Sequence, residues 1–461
     1  MKKRIIPTAL TIAGVDSGGG AGIAADLKTF AAIGVHGLVA VTSVTAQNTY
    51  SVMGIQDISP QMVELQIRAV ADDMGVDAAK TGMLSNPEIV RTVARVVRSY
   101  GFPLVVDPVI YAKSGARLLL EEAVEVLERE LLPEALIVTP NRMEAEKLAG
   151  MKIHSLEDAE IAATKISREY GVRAVVVKGG HMEGSSSVDV LYYEGTIRRF
   201  ETPRVEGCTH GTGCSFSAAI AAYIAKGFDL VESVRRAKEF IYNAILRSYK
   251  IGRGHCPVNP SANVDLDAEI YRAQKALNEV VEELISKRSE ELARLIPEVQ
   301  MNIVYSPPAY LAKDIKDVVG IPGRIVNYMG RAKASGYPQP GASSHMARAV
   351  LTMMQFDPEI RSGVNIAYSE DIIRALKELD FKISYFDRRE EPEEIKRIEG
   401  GTTRWGIEQA VKRINNIPDV VIDFGEHGKE PLIMIFGKDP RDVADKLNRL
   451  IDKLISSSQK N

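Results

Sequence analysis

Short, continuously apolar segments recur through the first half of the chain, at residues 9–13, 38–44, 104–106, 136–139, 174–177 and 190–192. Strands that are covered on both faces have this uninterrupted apolar character. Segments of helical periodicity separate them. In one of these, Ser59 and Pro60 provide an N-cap and a first helical position. The alternation predicts βαβ units, and therefore an α/β fold with a parallel-rich sheet between layers of helices.

The pattern then changes in a way that predicts a second domain. For 461 residues, a prior of about 100–200 residues per domain leads us to expect two or three domains. Around residues 253–264 the alternation gives way to Gly, Pro and Asn, and a charged helical stretch follows to about residue 295. New apolar runs begin near Val299. We predict a first domain at residues 1–262, a connecting helical segment at 263–296 and a smaller α/β domain at 297–461.

The charge and the cysteine content argue against several classes of protein. The net charge of −3 does not indicate the excess of positive charge that binds nucleic acid or an anionic membrane surface. No stretch reaches the roughly 18–20 apolar residues that cross a bilayer. Cys208, Cys214 and Cys256 are too few for a disulfide scaffold and lack the C-x-x-C spacing of a metal site. We expect a cytoplasmic protein in a reducing environment, with no nucleic-acid or membrane partner.

One glycine-containing turn has the composition of an anion-binding site. Gly211, Thr212 and Gly213 are followed by Cys214 and by small residues that predict a helix. Glycines allow backbone N–H groups to approach a ligand closely, and the first turn of a helix leaves such groups unpaired. Taken alone, a turn of this kind more often caps a core helix than binds a ligand.

Further polar residues follow the predicted strands, at the positions where open α/β sheets bind ligands. A glycine-rich turn at residues 14–22 follows the first strand, but it lacks the Gly-Lys-Ser/Thr ending of a P-loop. Gln47 has an amide that can read the edge of a heterocycle. The other candidates are Asp107, Asn141, Glu144 and Lys178.

Together these segments resemble one family. Residues 5–260 contain the motifs Gly-Val-Asp-Ser-Gly-Gly-Gly-Ala-Gly-Ile, Thr-Ala-Gln-Asn-Thr, Val-Asp-Pro-Val, Thr-Pro-Asn-Arg-Met-Glu-Ala-Glu, Val-Lys-Gly-Gly-His and Gly-Thr-Gly-Cys. They resemble ribokinase-like enzymes, and among these the hydroxymethylpyrimidine/phosphomethylpyrimidine kinases. The resemblance implies a ribokinase-like sheet flanked by helices. It also implies two ATP-dependent phosphorylations, which convert 4-amino-5-hydroxymethyl-2-methylpyrimidine to its phosphate and then to its diphosphate.

The resemblance implies residue roles that match the needs of phosphoryl transfer, namely charge neutralisation and in-line positioning. Residues 211–213 form the anion hole, and Lys178 adds a point charge beside the phosphates. Asp107 and Glu144, through Mg²⁺, and Asn141 are expected to place the nucleotide. Three residues are expected to contact the pyrimidine: Gln47, Gly14 and Asp26.

Cys214 separates this chain from the many ribokinase-like enzymes that have aspartate here as the base. The pyrimidine kinases resemble this chain in having cysteine, so the resemblance implies that Cys214 is the catalytic base. A free thiol has a pKa of about 8.5, and a helix N-terminus lowers it. We therefore expect a lowered pKa for this thiol. The alternative is that Cys214 only packs where a small side chain fits.

Residue types that bind phosphate also occur in the second half. Arg324 and His345 lie in the motifs Gly-Arg-Ile-Val and Ser-Ser-His-Met-Ala-Arg, while Thr402, Thr403 and Arg404 follow two glycines. A guanidinium matches phosphate geometry, and a Gly-Gly-Thr-Thr segment before a helix presents backbone and hydroxyl donors. On this chemistry we expect the three residues at 402–404 to contact substrate.

Residues 295–455 resemble the thiamine-phosphate synthase domain that is fused to the pyrimidine kinase in archaea and some thermophiles. The resemblance rests mainly on the motifs around Arg324 and His345. It implies that the pyrimidine diphosphate is joined to 4-methyl-5-(2-phosphoethyl)thiazole with release of diphosphate. Arg324 is expected to hold a phosphate, and His345 to take part in catalysis.

Two alternatives remain open from the sequence. The first half could phosphorylate a related ring such as pyridoxal, although Gln47 and Cys214 favour the pyrimidine. The second half could be a ligand-sensing module without catalysis, which needs phosphate contacts but not His345. The resemblance to ribokinase-like enzymes further implies a homodimer or a higher homo-oligomer.

Overall fold

The computed structural model describes residues 5–110, 119–180, 184–426 and 428–458. His181, which ends one of the motifs above, lies outside the described residues. The chain divides into two compact units, residues 1–263 and 264–461. None of the helices described here combines the length and the apolar character needed to span a membrane.

The first unit is built on one sheet with helices packed on it. Its strands are β1 (Thr8–Asp16), β2 (His36–Gln47), β3 (Val52–Asp57), β4 (Ala78–Thr81), β5 (Leu104–Val106), β6 (Ile137–Val138), β7 (Ala174–Val177), β8 (Ser186–Tyr193) and β9 (Thr196–Pro203). Its helices are α1 (Gly22–Ile33), α2 (Pro60–Asp73), α3 (Pro87–Tyr100), α4 (Glu121–Val126), α5 (Arg142–Ala149), α6 (Leu156–Tyr170), α7 (Thr212–Ala225) and α8 (Leu230–Leu246). Helix α2 begins as predicted, because the Ser59 hydroxyl accepts from the Met62 N–H and Pro60 occupies the first turn.

The strand order in the described part of this sheet is β3-β2-β1-β4-β5-β6-β7-β8-β9. The strands from β2 to β7 run parallel to one another, and β3, β8 and β9 pair antiparallel at the two edges. The predicted parallel-rich sheet is therefore confirmed. Since parallel strands end at the same edge, residues that follow β1, β2, β5, β6 and β7 meet there.

Two apolar layers cover the faces of this sheet. Leu10 and Ile12 of β1 pack into a layer that includes residues of α2, α3, α5 and α6. Ala9 of the same strand packs into the opposite layer, with residues of α1, α7 and α8. Because side chains of a strand alternate between faces, one apolar strand supplies both layers. This explains why the central strands are apolar without interruption.

The second unit contains a smaller α/β arrangement. Its strands are β10 (Ile303–Tyr305), β11 (Val319–Gly320), β12 (Ile325–Tyr328), β13 (Arg331–Ala334), β14 (Gln339–Pro340), β15 (Ser362–Ala367), β16 (Ile383–Phe386), β17 (Val420–Asp423) and β18 (Leu432–Gly437). Its helices are α9 (Ala262–Ala293, which starts at the unit boundary), α10 (His345–Phe356), α11 (Glu370–Glu378), α12 (Glu393–Lys396), α13 (Gly401–Ile414) and α14 (Pro440–Ser458).

The main sheet of this unit has the order β14-β11-β10-β15-β18-β17-β16, and β12 and β13 form a separate hairpin. Its pairs are antiparallel except for β16 with β17. One face packs on α9, α11 and α14, and the other on α10 and α13. Helix α9 covers most of the segment that we predicted as a connection, and its Leu277 and Leu284 lie in the core of the second unit.

A disulfide joins Cys208 to Cys256, with Cα atoms 5.0 Å apart. We expected reduced cysteines, and this expectation is wrong for these two residues. They are 48 positions apart, and α7 and α8 lie between them. The two helices contact each other, so the chain returns to its starting point after α8. The spacing of the two cysteines in the sequence does not show that the fold brings them together.

Candidate active sites

A cavity of about 990 Å³ opens at the carboxyl ends of the parallel strands of the first unit. Its lining includes most of the residues predicted for this half: Gly14, Gln47, Asp107, Asn141, Glu144, Lys178, Gly211, Thr212, Gly213 and Cys214. These residues are up to 200 positions apart in the chain. The fold therefore brings the predicted kinase residues to one site, with Asp26 as the exception.

Two glycine motifs pack against each other at this site. Gly211 is the N-cap of α7 and has a left-handed backbone with φ 79°. A Cβ at this position would collide with the carbonyl oxygen of Gly20 in the turn after β1. A Cβ at Gly20 would in turn lie 2.6 Å from the His210 ring. Residues without side chains allow this approach, which places the first turn of α7 at the cavity.

The carboxylate of Asp16 shapes the turn after β1. It accepts from the N–H groups of Gly18, Gly20 and Ala21 at 2.8–3.1 Å, and His210 Nε2 lies 3.3 Å away. Burial raises the pKa of Asp16, but the contacts with His210 and Gly18 outweigh it and lower the pKa. An ionised Asp16 thus holds the turn that supports Gly211.

Lys178 and Asp107 form the charged centre of the site. Lys178 Nζ lies 2.9 Å from Asp107 Oδ1, and Ser217 Oγ of α7 donates to Asp107 Oδ2 at 3.4 Å. A Cβ at Gly213 would be 3.2 Å from Lys178 Nζ, so the ammonium lies against the first turn of α7. A helix N-terminus and a lysine at one point provide a binding place for a phosphate group.

Glu144 and Asn141 cap α5 at the edge of the cavity. The Asn141 side chain accepts from the Glu144 N–H at 3.0 Å, and the Glu144 carboxylate accepts from the Asn141 N–H at 2.8 Å. Burial raises the pKa of Glu144 to about 7, although Lys178 opposes the rise. Mg²⁺ in nucleotide sites commonly takes one or two carboxylates together with phosphate oxygens, so Asp107 and Glu144 fit this ion. In the described part of the chain, no cluster of three His, Cys, Asp or Glu could hold a metal alone.

Cys214 is the third residue of α7, and its sulfur accepts from the Gly22 N–H. We expected the helix start to lower the pKa of this thiol. Burial instead raises the pKa to about 11, with Lys80 opposing the rise and Asp26 and Asp107 adding to it. The expectation is wrong for this structure, because desolvation of a thiolate outweighs the partial charge of the helix end.

Asp26 does not line the cavity. It is completely buried on α1, where its Oδ2 accepts from Thr11 Oγ1 at 2.7 Å and from Lys80 Nζ at 2.9 Å. Its Oδ1 has no hydrogen-bond partner among the described residues. A pyrimidine contact of Asp26 stays a prediction. Lys80 was not predicted at all, and the only signal in the sequence was a lysine within the short run Ala-Ala-Lys-Thr.

In the second unit, His345 lies at the start of α10, and its side chain is partly buried. Its Nδ1 lies 3.1 Å from the Thr403 hydroxyl at the start of α13, and its Nε2 has no partner within the part of the chain that is described. Burial lowers the pKa of His345 to about 4, with Asp423 opposing this and Arg388 adding to it. The imidazole is therefore neutral near pH 7 and has one free ring nitrogen.

Three arginines carry positive charge that affects the pKa of His345. Arg388 makes a buried bidentate pair with Asp423, with contacts of 2.6–3.2 Å. Arg324 is exposed, has φ 70° and donates to the Val299 carbonyl. The guanidinium of Arg348 packs where a Cβ at Gly400, the N-cap of α13, would be. The charges of all three arginines lower the pKa of His345.

The predicted residues at 402–404 have different positions. Thr403 contacts His345, and Thr402 is half-buried beside it in the chain. The Arg404 side chain is 66% exposed and pairs with Glu408 one turn later at 3.0 Å. Arg404 therefore does not belong to the group around His345. Sequence reasoning missed Arg348, which lies inside α10, and Arg388, which lies in a 3-10 turn shortly after β16.

Comparisons with known proteins cover both units. The family profile of phosphomethylpyrimidine kinase matches residues 16–259, and the profile of thiamine-phosphate synthase ThiN matches residues 276–449. The chain is 32% identical to the bifunctional thiamine biosynthesis protein ThiDN of Methanocaldococcus jannaschii over 453 residues, which are 97% of this chain and 99% of that protein.

Two further relatives match the first half. The thiamine biosynthesis bifunctional protein ThiED of Geobacter sulfurreducens is 47% identical over 252 residues, and the match covers 54% of this chain and 51% of that protein. The pyridoxal kinase of Bacillus subtilis, solved as an ADP complex, is 37% identical with a TM-score of 0.53, covering 56% of this chain and 99% of that chain. This likeness confirms the ribokinase-like fold of the first unit.

The two profiles match consecutive parts of the chain, and the match to the bifunctional relative runs through both of them. The chain belongs to the family of bifunctional thiamine biosynthesis proteins, in which a hydroxymethylpyrimidine/phosphomethylpyrimidine kinase is joined to a thiamine-phosphate synthase.

Proposed function

We propose that the first unit phosphorylates 4-amino-5-hydroxymethyl-2-methylpyrimidine and then its phosphate, with ATP and Mg²⁺. The second unit then joins the diphosphate to 4-methyl-5-(2-phosphoethyl)thiazole. The observation that carries the kinase assignment is the meeting of Lys178, Asp107 and the start of α7 at one cavity. An ammonium and the N-terminus of a helix at one point suit the charge of a transferring phosphoryl group.

In the first phosphorylation, the substrate hydroxyl loses its proton to Cys214, which acts as a base in its thiolate form, as the hydroxyl oxygen bonds to the γ-phosphorus. The bond from that phosphorus to the bridging oxygen of ADP breaks. Lys178 and the N–H groups of residues 211–213 neutralise the charge on the phosphoryl oxygens. Asp107 and Glu144 would hold Mg²⁺, which supplies further neutralisation when bound. Gln47 and Gly14 line the same cavity and are assigned to the pyrimidine ring.

In the synthase step, the bond between the pyrimidine methylene and the diphosphate oxygen breaks, and a bond to the thiazole nitrogen forms. Negative charge develops on the leaving diphosphate, so cations must lie beside it. Arg324 and Arg348 are such cations, because neither is held in a buried pair like that of Arg388 with Asp423. His345 is assigned to the phosphate groups through Nε2, since Nδ1 is engaged with Thr403.

A direct assay of the full chain tests both halves. Supplied with the pyrimidine, ATP and Mg²⁺, the chain should form the phosphate and then the diphosphate. Supplied with the diphosphate and the thiazole phosphate, it should form thiamine phosphate and diphosphate. The variant His345→Asn should lose the second activity and keep the first. A chain that binds thiamine phosphate but makes none would identify the second unit as a sensing module.

A second candidate for the first unit is pyridoxal phosphorylation, because a pyridoxal kinase shares the fold at 37% identity. The discriminating measurement is kcat/KM for the two rings under the same conditions. We expect the pyrimidine to be preferred at least about tenfold, which corresponds to about 1.4 kcal/mol in the transition state. Equal values, or a preference for pyridoxal, would favour the second candidate.

The proposal includes a homodimer or higher homo-oligomer. Strand β3 is at an edge of the sheet and is mostly exposed, with Met53 71% exposed. An exposed edge strand with apolar side chains favours pairing with another chain. Light scattering on the purified chain tests the oligomeric state. We also propose a cytoplasmic location, where ATP is available, and fractionation of cells tests it.

A further inference from the structure

A buried ion pair in the first unit, between Lys80 and Asp26, is not part of the phosphoryl-transfer step described above. Lys80 on β4 and Asp26 on α1 are both completely buried, and Lys80 Nζ lies 2.9 Å from Asp26 Oδ2. Thr11, which is paired with Lys80 between β1 and β4, donates to the same oxygen. The other oxygen of Asp26 has no hydrogen-bond partner in the described residues. Asp26 Oδ1 can therefore accept a further hydrogen bond.

The pair lies immediately behind the wall of the cavity. Gly82 lines the cavity, and a Cβ added there would be 2.9 Å from Lys80 Nζ. The ammonium therefore lies directly beside a glycine of the cavity wall. Burial lowers the pKa of Lys80, but Asp26, Cys214 and Asp107 outweigh it and keep the ammonium charged.

Stability alone does not account for this arrangement. Desolvation of two charges offsets most of their attraction, so apolar residues of similar volume stabilise a core as well or better. The surrounding layer is apolar and could accept such residues, since it contains Ala9, Phe30 and Phe216. The ammonium instead lies beside Gly82 in the wall of the cavity that Cys214 also lines, and β4, which carries Lys80, packs against α7, which carries Cys214. Burial disfavours the thiolate of Cys214.

We propose that Lys80 is a positioning residue for the kinase reaction: its buried ammonium, held by Asp26, favours the thiolate form of Cys214 and so makes the thiol a competent base. This inference rests on the proposed kinase function. Four charged groups act on the thiol: Lys80 on β4, Asp26 on α1, Asp107 after β5 and Lys178 after β7. Lys80 and Lys178 favour the thiolate, and Asp26 and Asp107 oppose it.

The cysteine content provides a readout that is independent of catalysis. Of the three cysteines in the chain, Cys208 and Cys256 form the disulfide, which leaves Cys214 as the free thiol. Its alkylation by iodoacetamide reports the thiolate fraction, because the thiolate is the nucleophile. The rate is measured on the full, unreduced chain between pH 7 and 10. Peptide mapping confirms the alkylated position, and thermal melting confirms that each variant is folded.

The two members of the pair should have opposite effects. In Lys80→Met, alkylation at pH 8 should be about tenfold slower, which corresponds to a rise of one unit in the thiol pKa. In Asp26→Asn, alkylation should be faster. Lys80→Arg should remain near the wild type. The kcat for phosphorylation should fall in Lys80→Met while KM for ATP stays unchanged, since the ammonium acts through Cys214.

Lys226→Met is the matched control. Lys226 is at the opposite end of α7, where its Nζ donates to the Ile33 carbonyl, and its loss removes the same charge. Alkylation and kcat should both stay near the wild type in this variant.

An unchanged alkylation rate in folded Lys80→Met would overturn the inference. If Lys80→Met does not fold, Asp26→Asn decides: faster alkylation supports the inference, and an unchanged or slower rate overturns it. A wild-type chain that phosphorylates no substrate would overturn the proposed function instead, and the alkylation rates distinguish that failure from this one.

Discussion

The ammonium of Lys178 lies 2.9 Å from the carboxylate of Asp107, next to the first turn of α7. Burial lowers the pKa of Lys178, but Asp107 and Glu144 outweigh it and raise the pKa, so the side chain stays charged. An ammonium has three donors. One is directed to Asp107, and the others are available to phosphate oxygens. Lys178 thus pairs with a buried carboxylate and can also bind a phosphate group.

Replacing Lys178 should affect both stability and activity. In Lys178→Met, Asp107 is left as a buried unpaired carboxylate, which costs about 3–5 kcal/mol in the free energy of unfolding. Removal of one charge-stabilising donor should lower kcat about 10²–10³-fold. Urea unfolding and a phosphorylation assay measure the two effects. The double variant Lys178→Met/Asp107→Asn should recover stability but not kcat, and recovery of both would contradict the assigned role.

The close contact between Gly211 and Gly20 predicts that a side chain at Gly211 is harmful. A second glycine with a positive φ but no such contact separates the collision from the backbone strain. Gly211→Ala introduces both a strained backbone and a collision with the Gly20 carbonyl oxygen. Gly227 also has a positive φ, of 90°, but a Cβ there meets nothing within 4 Å. Gly227→Ala should cost only the backbone strain, about 1–3 kcal/mol, and keep kcat. Gly211→Ala should cost more and abolish most phosphorylation. Equal losses in both variants would show that the glycine contact is unimportant.

Glu144 predicts a pH dependence of nucleotide binding. Its pKa is raised to about 7, so the carboxylate form increases as the pH rises through 7. If this carboxylate holds Mg²⁺, the affinity for a non-hydrolysable ATP analogue with Mg²⁺ should increase from pH 6 to pH 8. Calorimetry measures it, and the increase should approach about tenfold per unit below the pKa. Glu144→Gln keeps an oxygen for the cap of α5 and should show no such increase.

The lowered pKa of His345 predicts that the synthase stays active at a lower pH than an ordinary histidine would allow. Its pKa is lowered to about 4, so the neutral form persists well below the ordinary value of 6.5. Synthase activity should therefore not decline through pH 6.5, and its decline should begin near pH 5. The free energy of unfolding should decrease as the pH falls from 6.5 to about 4, because the unfolded chain binds this proton first. His345→Asn should remove that component, and a decline in activity centred at pH 6.5 would be inconsistent with the lowered pKa of His345.

The central strands of the first unit were predictable because burial on both faces leaves an apolar run that needs no context. Strand β4 was missed because Lys80 interrupts its apolar run. The strand can bury this lysine because the ammonium pairs with Asp26, which is 54 positions away. Strand β3 was missed because it is a largely exposed edge strand and lacks the continuous apolar run of the central strands. A charge that is buried through a distant partner cannot be distinguished, in the sequence, from a charge on the surface.

The candidate site of the first unit was predictable to a greater extent than that of the second. Its residues follow strands that end at one edge, so Gln47, Asp107 and Lys178 were found from position alone. Around His345 the charges come from a helix interior and a 3-10 turn, as for Arg348 and Arg388. Arg404 follows two glycines and looked the better candidate, but helical geometry turns it toward Glu408. Which face a helical residue occupies depends on packing that the motif does not encode.

The central claim is that one chain carries out consecutive steps, and a single coupled assay tests it most directly. The purified full chain is supplied with 4-amino-5-hydroxymethyl-2-methylpyrimidine, ATP, Mg²⁺ and 4-methyl-5-(2-phosphoethyl)thiazole, and thiamine phosphate is quantified over time. We predict that thiamine phosphate accumulates after a lag in which the pyrimidine phosphate and diphosphate appear. His345→Asn should stop at the diphosphate, and Lys178→Met should form little of any product. Accumulation of the diphosphate without thiamine phosphate in the wild-type chain would contradict the account.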